Sequence, residues 1–109
     1  LWKGAWNAET GEWTDATVWA TVEGPNGPGG PDGMAFGDDG NLYVAVYGTG
    51  YIHVVSPDGK VIQKINVTGQ NPTNCAFDPS GKLGLVVTEA ENGQLIIYKT
   101  PLKGILKIQ

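Results

Sequence analysis

A six-residue frame, Pro31-Asp32-Gly33-Met34-Ala35-Phe36, returns forty-one residues later as Pro72-Thr73-Asn74-Cys75-Ala76-Phe77. Residues 31–47 and 72–88 agree at Pro31/Pro72, Ala35/Ala76, Phe36/Phe77, Gly40/Gly81, Leu42/Leu83 and Val46/Val87, where unrelated stretches would share about one residue. A period of about 40 residues, filled with short apolar runs and Gly/Pro/Asp turns, is the signature of a propeller blade. The expected fold is therefore all-β: a partial β-propeller of two to three four-stranded antiparallel blades.

The length bounds how much of a wheel is present. Four to eight blades need roughly 160 residues or more, and the chain has 109. Blade pieces are expected at residues 1–23, 31–67 and 72–98, with a tail at 99–109. The chain starts at Leu1 inside what reads as a strand, so the sequence predicts the C-terminal portion of one propeller domain, or a chain that must associate to close. The remaining blades of a parent propeller are its expected partner. Alone, its end blades lack the neighbour that would bury them.

Leu1 to Trp6 and Trp13 to Val22 read as two strands around an Asn7–Glu12 turn. They carry the β-branched and aromatic residues that strands favour. Residues 24–31 are a loop by composition, and its prolines lack the N–H groups a phosphate cradle would need. A meander follows: Met34 to Phe36, Leu42 to Tyr47, Tyr51 to Val55 and Val61 to Val67. The second run is apolar throughout, as suits a strand covered on both faces, while the fourth admits polar residues. Thr73 to Phe77, Lys82 to Thr88 and Gln94 to Tyr98 repeat the pattern, but Pro101 and Gly104 interrupt a fourth strand.

Net charge is −4 and the basic residues are seven lysines with no arginine, which argues against a nucleic-acid partner. No apolar run approaches the length of a bilayer span, so no membrane partner is expected. Lys99, Lys103 and Lys107 read as belonging to a solvated tail. Cys75 is the single cysteine, which excludes an internal disulfide and leaves it the role of a small buried hydrophobe.

Meander connectivity sorts the turns. Those after first and third strands share one rim: Asp38-Asp39-Gly40, Ser56-Pro57-Asp58-Gly59 and Asp78-Pro79-Ser80-Gly81, all ordinary tight-turn sequences. Asp32, Thr73, Asn74, Tyr47, Thr49, Glu89, Glu91 and Asn92 fall on the opposite rim. Asp32 stands where the chain begins an innermost strand beside the central channel, with Asn74 at nearly the same height in the next blade. On spacing alone, a channel ligand and an aspartate that caps its own turn are equally good readings.

Gly30-Pro31-Asp32-Gly33-Met34, Gly40-Asn41-Leu42-Tyr43-Val44-Ala45, Pro72-Thr73-Asn74-Cys75-Ala76-Phe77 and Val87-Thr88-Glu89-Ala90 together resemble the senescence marker protein (regucalcin), gluconolactonase and luciferin-regenerating enzyme family. The resemblance covers nearly the whole chain and is vaguest over the first thirty residues. It implies a six-bladed parent with one divalent cation in the channel, calcium or zinc, and metal-dependent hydrolysis of sugar lactones. It further implies that Asp32 is a metal ligand and catalytic general base. Asn74, with Thr73 beside it, takes a channel-lining position that meets substrate or supports a ligand. The family's other ligands, a Glu near the start of the protein and an Asn in an earlier blade, have no counterpart here, so the isolated chain is expected to be inactive. Relatives of the diisopropyl-fluorophosphatase type carry a histidine where this chain has Ala76, which argues against that branch.

A Ser-His-Asp site is not expected, because His53, the one histidine, sits in mid-strand away from Ser56 and Ser80. Glu89 and Glu91 read as members of a solvated loop farther from the axis. Asn66-Val67-Thr68 matches a glycosylation sequon, relevant only in a secreted eukaryotic protein. The rival classes are a non-enzymatic propeller that binds peptide or carbohydrate, and another ester or phosphotriester hydrolase of the same architecture.

Overall fold

A computed structural model describes residues 1–22, 24 and 29–105. The described residues form nine strands, β1 Trp2–Trp6, β2 Trp13–Val18, β3 Gly30–Phe36, β4 Leu42–Tyr47, β5 Tyr51–Val55, β6 Val61–Asn66, β7 Pro72–Phe77, β8 Leu85–Glu89 and β9 Gln94–Tyr98. They make three antiparallel sheets in sequence order, β1-β2, β3-β4-β5-β6 and β7-β8-β9. Among the described residues the central sheet has the four strands of a whole blade, the first has two, and the third has three, its fourth strand being interrupted after Tyr98 as Pro101 and Gly104 led one to expect. No helix among the described residues is long and apolar enough to cross a membrane. Half of the expected 24–31 loop, residues 25–28, lies outside the described residues, as do residues 106–109 of the tail.

Side-chain alternation along β4 explains why the sheets stack. Leu42, Val44 and Val46 face one way and join Val55, Ala20 and Val22 in one buried cluster, against which Leu1 and Trp19 pack. Tyr43 and Ala45 face the other way and join Ile52, Val54 and Ile65 with Cys75, Phe77, Leu85 and Val87 of the third sheet. A strand buried on both faces carries no polar alternation, as its run of apolar residues foretold. His53 is buried in β5, opposite Val44. The Tyr43 ring meets Phe77 edge-on with centroids 4.7 Å apart, and its hydroxyl donates to Asp39 at 2.8 Å. By contrast β1 and β2 are exposed along their whole length.

Three strand boundaries differ from expectation by more than one residue, and the first is β2, which ends at Val18 and not at Val22. β3 begins at Gly30, because Gly30 pairs with Tyr47 and Pro31 with Val46. Pro31 is tolerated because β3 is an edge strand, whose outer N–H positions need no ladder partner. β8 begins only at Leu85. The Asp78 carboxylate gathers the N–H groups of Lys82 and Leu83 at 3.1 and 2.9 Å. Gly84 then turns with φ +89° and accepts the Asp78 N–H, so these residues serve the turn.

The tail is not simply solvated. Gly104 forms a bridge with Gly37, the Asp38 N–H donates to the Lys103 carbonyl at 2.9 Å, and the Lys103 N–H returns to Asp38 Oδ1. Leu102 packs on the core between the second and third sheets. The tail thus crosses the rim that carries the tight turns.

Candidate functional site

β3 and β7, the innermost strands, each carry a bulge at the same point of the repeat. The pairing of β3 with β4 shifts between Pro31 and Met34, and that of β7 with β8 between Pro72 and Asn74. The proline of each frame supplies no N–H and fixes its own φ, which favours this break in the ladder. A bulge turns side chains out of the regular alternation, so Asp32 and Thr73-Asn74 stand at the two places where β3 and β7 are redirected.

These places touch. A β-carbon on Gly33 would collide with the Asn74 side chain and lie 2.7 Å from the Asn74 Cα. Only glycine, with no side chain, permits this approach. Asn74 Oδ1 accepts the N–H of Cys75 at 2.9 Å, which fixes the amide orientation and leaves the exposed Nδ2 as a donor. Thr73 is half-buried, and its hydroxyl is engaged by β8 at 2.7 Å from the Thr88 hydroxyl and 3.2 Å from the Thr88 carbonyl. Sequence reasoning placed Asp32 and Asn74 at one height in adjacent blades, and the contact between Gly33 and Asn74 brings those positions together.

Asp32 differs from the turn aspartates it resembles in sequence. Asp39 accepts from Asn41 and Tyr43, Asp58 from Ser56, and Asp78 from Ser80, Lys82 and Leu83. Backbone N–H donation from Leu83 and hydrogen bonds from Ser80 hold the Asp78 carboxyl down at about 2. Asp32 is exposed, and its carboxylate takes no hydrogen bond or ion pair among the described residues.

Glu89 is a correction to the solvated-loop reading. It is 2 % exposed and accepts the N–H groups of Asn71, Glu91 and Asn92 at 3.1, 2.8 and 2.9 Å. Burial alone raises a carboxyl, but these three donors outweigh it and hold Glu89 below its usual value. The repeat offers no cue to it, since by strand pairing its counterpart in the first copy is Val46. Glu91 is exposed and accepts the Gln70 N–H at 2.6 Å.

The described residues contain no group of three or more His, Cys, Asp or Glu side chains placed to hold a metal ion. Calcium takes six to eight oxygen ligands, so Asp32 with Asn74 beside it does not by itself fit a cation site.

The pattern described as "SMP-30/Gluconolactonase/LRE-like region" matches residues 1–91. A diisopropyl-fluorophosphatase from Loligo vulgaris is 41% identical over 76 residues, 69% of this chain and 24% of that protein. Among solved structures, a luciferin-regenerating enzyme superposes with a TM-score of 0.68 at 23% identity, over 94% of this chain and 35% of that one. At that identity the likeness is one of fold, and it is a propeller protein's fold. The chain thus spans about a quarter to a third of the relatives it matches. Ala76 does not separate it from relatives of the diisopropyl-fluorophosphatase type, since one such protein shares 41% of the aligned residues.

Proposed function

Because the chain belongs to the SMP-30/gluconolactonase/LRE-like family, we propose that it forms part of a propeller hydrolase that opens sugar lactones, with Asp32 as the catalytic carboxylate. The observation that carries this reading is the environment of Asp32: exposed, without a hydrogen bond among the described residues, at the bulged start of β3 and one residue from the contact with Asn74.

In this reading Asp32 takes a proton from water as the water oxygen bonds to the lactone carbonyl carbon. The ring C–O bond then breaks, the ring oxygen receives the proton from Asp32, and a hydroxy acid leaves. The free Nδ2 of Asn74 is suited to donate to the carbonyl oxygen as negative charge develops there. Thr73 sets the shape of the same bulge through its bond to Thr88. A divalent cation, calcium or zinc, would take one oxygen from Asp32 and its other ligands from the remaining blades of the parent propeller. Those blades are the necessary partner, and the chain alone is inactive.

Acid release from a gluconolactone, followed for the complete propeller and for the 109-residue chain, tests the proposal. Turnover by the complete protein that disappears with Asp32→Ala, while the fold is kept, supports it. Turnover that survives Asp32→Ala refutes it.

The 41% identity to a diisopropyl-fluorophosphatase favours a second reading, in which the same carboxylate serves phosphorus–fluorine or phosphotriester hydrolysis. Fluoride release from diisopropyl fluorophosphate without lactone opening would select it. Absence of both activities would favour a binding module.

A further inference from the structure

We infer that Glu89 is a positioning residue that holds Thr73 and Asn74 on the channel rim, by fastening the link into β7 to the link between β8 and β9. This deepens the proposed reading of the site and rests on it for its functional meaning.

The Glu89 carboxylate sits where three loops converge. Its Oε1 accepts the N–H groups of Asn71 and Glu91, and its Oε2 accepts that of Asn92. Gly69 approaches so closely that any side chain there would strike the carboxylate. Ala90 donates back to the Asn71 carbonyl at 2.9 Å, and Asn92 Nδ2 donates to the Thr68 carbonyl at 2.9 Å. The Gln70 carbonyl accepts the N–H of Gly50 at 3.0 Å, which extends the set to the β4–β5 turn. Asn71 is therefore gripped through both its N–H and its carbonyl. The next residue, Pro72, is fully buried and has a fixed φ, so the grip passes along a stiff backbone to Thr73 and Asn74.

Charge is needed for this arrangement. A carboxylate offers lone pairs from two oxygens, whereas a glutamine would turn an NH2 group toward a backbone donor. By strand pairing the counterpart in the first copy is the apolar Val46, which faces Pro31 as Glu89 faces Pro72, so the device belongs to the blade that presents Asn74.

The test uses the 109-residue chain with Glu89→Gln and, separately, Gly69→Ala, which displaces the carboxylate without removing it. Amide hydrogen exchange is read by NMR. The Cys75 N–H reports on Asn74, because Asn74 Oδ1 holds it. Both variants should accelerate exchange at Asn71, Glu91, Asn92 and Cys75 about tenfold or more, with the amides of Val44 and Ile52 unchanged. Acceleration that stops short of Cys75, or no acceleration, overturns the inference. Should both variants fail to fold, exchange of the unsubstituted chain in rising urea decides: one shared opening free energy for the four amides upholds it, and separate openings overturn it.

In the complete propeller, Glu89→Gln should lower kcat for lactone about tenfold with KM and cation content kept, because Asn74 donates to charge that develops only in the transition state. An unchanged kcat also overturns the inference. If the unsubstituted propeller opens no lactone, the proposed function fails while the exchange result stands by itself.

Discussion

Gly33 and Asn74 are in backbone-to-side-chain contact across two blades, so close that a methyl group on Gly33 would lie 2.7 Å from the Asn74 Cα. The two bulged innermost strands therefore meet at a position where one of them has no side chain.

Gly33→Ala should force these strands apart. The expected cost is about 1–3 kcal/mol, the range for overpacking a site that cannot yield. Urea denaturation measures it, and a change within error of zero would show that the rim is loose.

Asp32→Asn in the complete propeller should lower turnover by about 10²–10⁴-fold, the usual contribution of a general base. With the cation removed by chelation, the circular dichroism spectrum and melting temperature should match the parent's within error, because Asp32 is exposed and supports no described hydrogen bond. An active Asn variant would exclude a base at this position.

Asp78 gives a pH dependence with a definite sign. Its carboxyl is lowered from 3.8 to about 2, by the Leu83 N–H first and Ser80 next. Stability from this group is present above pH 3.8 and is lost as pH falls toward 2. Denaturation midpoints measured from pH 6 to pH 2 should fall less steeply for Asp78→Ala than for the parent. Parallel curves would remove Asp78 from the acid response.

Cys75 is 5 % exposed, and burial pushes its thiol up from 9.0 to about 11. At pH 8 iodoacetamide should leave it unmodified in the folded chain and alkylate it in denaturant, since the thiolate is the reactive form. The linked stability is complete below pH 9 and is lost as pH rises toward 11. Rapid labelling of the folded protein would mean that this blade interface opens readily.

Leu85 and Trp6 should behave in opposite ways. Leu85 is 0 % exposed between the second and third sheets, so Leu85→Ala should cost about 2–5 kcal/mol. Trp6 is 64 % exposed, so Trp6→Ala should stay within about 0.5 kcal/mol. A large loss at Trp6, read from the same denaturation curves, would mean that β1–β2 is covered in solution.

The repeat at Pro31 and Pro72 made the blade architecture legible, because a period of short strands and tight turns is a local property. Continuous apolar character in residues 42–47 likewise announced a strand covered on both faces. Placement of Asp32 and Asn74 on one rim followed from chain connectivity alone. The sequence reads Glu89 as solvated because it belongs to a second-to-third strand link farther from the axis; the three backbone donors that offset its burial come from Asn71, Glu91 and Asn92. The expected Lys82–Leu83 strand failed because Asp78 competes for those N–H groups, and local side-chain bonds of this kind can override strand pairing.

By itself the sequence determined the strand order and the end of the meander on which each turn lies, because alternation and turn chemistry act over a few neighbouring residues. Only the tertiary structure decided that Gly33 lies against Asn74 and that Glu89 is buried and fully bonded. Those outcomes depend on how adjacent sheets close on each other, and the donors and atoms involved lie tens of residues apart along the chain or in loops that have no periodicity to read.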